Sequence, residues 1–241
     1  FLGAMYVLAA HASEIPAMFA LIFRSAFSPA EASGAFIGGT MGYAFLYGMK
    51  RAIFSNEAGQ GTSPIAHAAA RTDEPVREGV VAGLEPFIDT IVICTMTALT
   101  IVITKAYLDP AASELGGVAL TSNAFATVLP WFPKVLAVAV VLFAFSTMIS
   151  WSYYGMKATG YLFGDNRLAE NVFKVIFLGF TVLGSVASLG SVIDFSDSMI
   201  FMMSIPNLIG LYLLRNVIRR EFASYRARLA SGEIKEFADR H

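Results

Sequence analysis

The chain has 241 residues, of which 56% are apolar and 15% charged, with a net charge of −1 and a mean hydropathy of +0.62. Soluble domains hold about 25% charged and about 45–50% apolar residues, so this composition reads as a polytopic membrane protein. The near-neutral balance excludes nucleic-acid binding, which needs a basic surface. The single cysteine, Cys94, lies in an apolar run and offers neither a disulfide framework nor a thiolate metal site.

A spanning helix needs about 20 mostly apolar residues, and six segments qualify. The first, residues 1–27, is interrupted by His11, Glu14 and Pro16. No charged leader and no cleavage site accompany it, so it is not read as a signal peptide. Starting at Phe1 inside an apolar run, the chain reads as the C-terminal part of a longer protein. The other segments are 35–70, 86–107, 134–163, 171–189 and 196–218. Residues 219–241 form a polar tail with an apolar residue every three or four positions, expected to lie along the membrane surface. The expected organisation is therefore a transmembrane region over 1–218 and a tail over 219–241.

Lysine and arginine in the connections set the orientation. With the tail in the cytoplasm, twelve basic residues fall on the inner side: Arg71, Arg77, Lys157, Arg167, Lys174 and seven from Arg215 to the end of the chain. Only Arg24, Lys105 and Lys134 fall outside. This count requires residues 35–70 to cross once.

A continuous helix over 35–70 would be about 54 Å long at about 1.5 Å per residue, against an apolar core of about 30 Å. Its middle reads "FSNEAGQGTSP", residues 54–64. Gly59, Gly61 and Pro64 are poor helix-interior residues. Irregular backbone at membrane depth must be buried in protein or line a wet cavity. Discontinuous helices build substrate and ion sites in secondary transporters, through freed amides and carbonyls. The alternative is a cytoplasmic loop with Lys50 and Arg51 as its basic flank. A phosphate-binding loop is excluded by the glycine spacing and the lack of a preceding strand.

Residues 48–101, "GMKRAIFSNEAGQGTSPIAHAAARTDEPVREGVVAGLEPFIDTIVICTMTALTI", resemble the alanine or glycine:cation symporter family, as do 143–164, "FAFSTMISWSYYGMKATGYLFG". Residues 20–39 fit it too. The resemblance implies an all-α membrane protein of the leucine-transporter type, a five-plus-five inverted repeat. The six segments would then be spans five to ten, with most of the first repeat, including the first span and its half of the substrate and sodium site, outside this chain. The polar connection 108–133 would fall outside the cell, where such transporters carry a helical lid.

The family implies sodium-coupled symport of alanine or glycine into the cell across the plasma membrane, with no enzymatic step and no resident cofactor. Its partners would be the amino acid, the sodium ion and the bilayer. Proton-coupled or uncoupled carriage is the neighbouring alternative. A membrane-embedded enzyme built on Ser55, Glu57 and His67 is the alternative of another class. Ser55 and His67 are twelve residues apart, about 18 Å of helical rise.

The resemblance suggests Phe54, Asn56, Gly59 and Gly61 for the amino acid: Phe54 as a wall, Asn56 as donor and acceptor, and the glycines for close backbone approach. It suggests Ser146 and Thr147 for sodium, as hard oxygen ligands. Thr147 and Trp151, four apart on one helix face, would bound the substrate side, the indole leaving room for a small side chain. Each has a plainer reading, in which the hydroxyls bond back one helical turn. Glu57 is expected to pair with Lys50 or Arg51. Asp89 is expected to cap a helix; Asp194 and Asp197 precede the last span, Asp197 expected as its cap, with an external gate as the alternative. His11 and Glu14, three apart, hint at a metal or proton relay; His67 is expected to be ordinary.

Overall fold

A computed structural model describes residues 1–26, 43–109, 117–164 and 166–234. Among these the chain is all helix. In order come α1 (Leu2–Ala10), a 3-10 turn (Ala12–Glu14), α2 (Ile15–Ala26), α3 (Tyr43–Ser55), α4 (Thr62–His67) and α5 (Pro75–Ala82). A π-helical segment (Phe87–Cys94) then leads into α6 (Thr95–Ile103), followed by α7 (Gly117–Ala126), α8 (Phe132–Phe163), α9 (Arg167–Val186) and α10 (Leu189–Ala230).

Four stretches among the described residues are long and apolar enough to cross a membrane: Pro75–Ile103, Phe132–Phe163, Arg167–Val186 and Leu189–Ala230. A fifth arises if the α1–α2 pair, bent by 76°, is one broken span. The chain is a multi-pass membrane protein. The bend falls where the polar residues predict it, and Pro16 sits at the second position of α2, where its missing N–H costs no helical bond. The start of the expected span 35–70 lies outside the described residues, as do residues 110–116 of the expected lid and 235–241 of the tail. The middle of the connection 108–133 is the helix α7.

The chain divides into two compact units, one formed by residues 1–52 and 86–152, the other by 53–85 and 153–241. In the first, α1, α6, α7 and the start of α8 share a core of Ala4, Val7 and Phe125, with Met96, Val128, Phe132 and Leu136 packed against it. Gly3 leaves the space that the Phe132 ring fills, and any Cβ there would collide with it. The Phe125 and Phe132 rings lie 4.6 Å apart, tilted by 40°. Elsewhere large apolar side chains are exposed, Phe143 by 80% and Leu213 by 77% among them. In a bilayer this is the stable arrangement, because lipid is as apolar as the side chains and helix association relies on packing and polar contacts instead.

Hydroxyl side chains follow the same logic. Thr100, fully buried, donates to the Met96 carbonyl at 2.8 Å; Thr104, Thr159, Thr181, Ser198 and Ser204 each donate one turn back. A hydroxyl satisfied on its own helix needs no water.

In the second unit, Asn166 caps α9 by accepting from the Leu168 amide at 2.9 Å, and Gly155 leaves room for the Phe173 ring. The last helix differs from expectation at both ends. It starts at Leu189 with Ser188 as its cap, so neither Asp194 nor Asp197 caps it; Asp197 lies within the helix, 7% exposed. At the other end it runs unbroken to Ala230, because residues 215–230 carry no helix breaker and are rich in Arg and Ala. Its end is tied to the segment before α5 by Arg228, whose guanidinium donates to both Glu74 carboxylate oxygens at 2.7 and 2.9 Å.

Candidate functional site

The helix expected to break does so. α3 ends at Ser55, α4 starts at Thr62, and the chain between them turns through three left-handed residues: Glu57 (φ +48°), Gly59 (φ +74°) and Gly61 (φ +87°). Glycine is suited to that region, whereas an L side chain there costs about 1–2 kcal/mol. Glu57 is therefore a strained residue, a condition that persists only where surroundings impose it.

Polar contacts hold the turn. The Ile53 carbonyl accepts from the Ala58 amide at 3.1 Å and from the Gln60 side-chain amide at 2.8 Å. Glu57 donates its N–H to the Phe54 carbonyl at 3.3 Å, and Gln60 donates its own to Glu57 at 3.2 Å. From α10, Asn207 donates Nδ2 to the Gly59 carbonyl at 2.9 Å. A Cβ at Gly61 would stand 3.1 Å from Asn207 Oδ1, whereas one at Gly59 would meet only Leu208, at 3.8 Å. Gln60 and Thr62 are 3% and 1% exposed. Gln60 Oε1 and Thr62 Oγ1 have no hydrogen-bond partner among the described residues.

Asn56, Gly59 and Gly61 thus share one unwound turn, with Asn56 partly buried, and the exposed Phe54 lies in the last turn of α3 beside it. Ser146, Thr147 and Trp151 lie on α8, in residues of the other unit. Thr147 donates its hydroxyl to the Phe143 carbonyl at 3.0 Å, the back-bond of the plainer reading. That bond spends the proton and leaves the oxygen lone pairs for a cation. Lys50 Nζ stands 5.8 Å from the centre of the Tyr47 ring.

Sequence reasoning missed Gln60, Thr62 and Asn207, and passed over His67. The His67 ring is held by two carboxylates, with Nδ1 at 2.7 Å from Glu78 and Nε2 at 3.6 Å from Glu85. The seven-residue spacing of the two glutamates was the available signal. Asp89 is in the first turn of the π-helical segment, where Pro86 takes the capping position. His11 ends α1 with its ring nitrogen bonded to the Val7 carbonyl at 3.0 Å. A 3-10 turn then runs through Glu14, whose N–H donates to the His11 carbonyl at 2.9 Å. No cluster of three or more metal-ligating side chains occurs among the described residues.

The comparisons with known proteins bear on the same stretch. The chain is 38% identical over 224 residues to the sodium/alanine symporter AgcS of Methanococcus maripaludis, covering 93% of this chain and 48% of that protein. It is 31% identical to a sodium/proton-dependent alanine carrier protein of Bacillus sp. (strain PS3), covering 97% of this chain and 55% of the relative. It is 30% identical to the amino-acid carrier protein AlsT of Bacillus subtilis, covering 92% and 46%. The chain spans about half the length of the curated relatives it matches. No solved structure matches it. A model of the sodium:alanine symporter family matches residues 1–239, through both helix segments that flank the break, and to that family the chain belongs.

Proposed function

We propose that this chain forms the second repeat, with the last span of the first, of a secondary active symporter, which couples sodium entry to uptake of a small neutral amino acid such as alanine or glycine. The observation that carries the reading is the break between α3 and α4. It sets three left-handed residues and a run of polar backbone in the middle of an otherwise apolar segment. Such a break offers amides to a carboxylate and carbonyls to an ammonium or a cation. Family membership supports carriage over chemistry.

In this reading the fold is the leucine-transporter type of five-plus-five inverted repeat, and the chain supplies spans five to ten. Residues 1–218 form the transmembrane region, and residues 219–241 form a tail on the cytoplasmic face of the cell membrane. Phe54, Asn56, Gly59 and Gly61 receive the amino acid, and Thr147 with Trp151 bounds its side chain. Ser146 and Thr147 offer oxygens to sodium, completed by residues of the first span. Coupling requires that ion and amino acid each raise the other's affinity.

The experiment is uptake of labelled alanine by the full-length protein in proteoliposomes, with an inward sodium gradient and without one. Accumulation above equilibrium with the gradient alone supports sodium symport. Accumulation driven only by a proton gradient would replace the ion, and equilibration without accumulation would replace coupling by facilitated passage. Absence of uptake for every small amino acid would overturn the proposal.

A further inference from the structure

We propose that Asn207 is a positioning residue of the transport site, holding the unwound turn 56–61 in its substrate-ready form from the last long helix. Its amide donates to the Gly59 carbonyl at 2.9 Å across 148 residues of sequence. That carbonyl lies outside both α3 and α4, so no helical ladder satisfies it. The oxygen end of the same side chain walls Gly61, 3.1 Å from where a Cβ would stand. One side chain therefore addresses both left-handed glycines: it bonds one and excludes a side chain at the other.

The position of Asn207 in α10 strengthens the case. It follows Pro206, the proline inside that helix. Proline has no N–H to give the carbonyl four residues earlier, and its ring loosens the local ladder. The loosened point of one helix thus meets the unwound point of another. Gln60 secures the turn from within, through its own bond to the Ile53 carbonyl. Loss of Asn207 therefore lowers the population of the built turn without removing it. A net hydrogen bond of ordinary strength corresponds to a change of about fivefold to tenfold. Apparent affinity falls by the fraction of molecules that remain competent.

The inference rests on the symport reading for what the turn holds, while the clamp itself can be tested without it. Asn207→Asp sets an acceptor against the Gly59 carbonyl, and Asn207→Gln keeps the amide on a longer stem. Both are made in the full-length protein and read twice: by hydrogen exchange of the peptide covering residues 54–64, and by alanine uptake kinetics per transporter in the membrane. With Asn207→Asp we expect exchange about fivefold to tenfold faster, KM raised by a similar factor, and maximal rate per transporter within about twofold of the parent. Asn207→Gln should fall between the two, and it decides by the same readings if Asn207→Asp does not reach the membrane. Unchanged exchange overturns the clamp. Faster exchange with unchanged KM, or a loss of membrane protein alone, overturns the positioning role. If the parent takes up no small amino acid, the symport reading fails by itself, and exchange still decides whether Asn207 holds the turn.

Discussion

Gly59 and Gly61 make a matched pair for testing what the unwound turn requires. Both have positive φ, at +74° and +87°, so alanine at either should cost about 1–2 kcal/mol in backbone conformation. That is about a 5- to 30-fold loss of the built turn. The surroundings then separate them. At Gly59 a methyl group meets Leu208 at 3.8 Å, an ordinary contact; at Gly61 it meets Asn207 Oδ1 at 3.1 Å and Cγ at 3.3 Å. The asparagine must move by a few tenths of an ångström, which weakens its bond to the Gly59 carbonyl. A net hydrogen bond is worth about 0.5–1.5 kcal/mol, so Gly61→Ala should be worse than Gly59→Ala by about 2- to 12-fold. The assay is the half-saturating alanine concentration in vesicles, with rates normalised to transporter present. Equal effects, or a larger one at Gly59, would refute the wall; two silent substitutions would refute the strain argument altogether.

Thr147→Val should raise the half-saturating sodium concentration several-fold while leaving the alanine dependence at saturating sodium nearly unchanged; equal sodium curves would assign the hydroxyl to its Phe143 bond alone. Trp151→Ala should admit larger neutral amino acids, measured by competition against labelled alanine, and an unchanged competition profile would remove the indole from the pocket. Arg228→Ala should speed hydrogen exchange over residues 71–76 by releasing Glu74; the same exchange as the parent would mean that the pair holds nothing.

The break was legible because its signals are local: two glycines, a proline and a polar run set in apolar sequence, all within residues 54–64. The bend after α1 was legible for the same reason. The Asn207 contact was not, since a hydrogen bond across 148 residues leaves no trace in the spacing around either partner. His67 was passed over because its partners lie beyond a turn, on a stretch read as the approach to the next span. The bounds of α10 were misjudged at both ends by one error, the use of polarity as a helix boundary. Polarity marks where lipid ends, whereas a helix ends at caps and breakers, and none intervenes between Leu189 and Ala230 except Pro206, which does not stop it.

An unbroken 42-residue helix is about 63 Å long, roughly twice the apolar thickness it crosses. It acts as a lever with its pivot at the proline. Arg228 stands 22 residues beyond Pro206, an arm of about 33 Å. A tilt of about 5° at the pivot carries its guanidinium sideways by about 3 Å on that arm. That is enough to part contacts of 2.7 and 2.9 Å. The ion pair at the far end of the rod thereby becomes a gauge of any tilt at Pro206, the neighbour of the residue that holds the unwound turn, amplifying a motion too small to see at its source into one that opens or closes a bond.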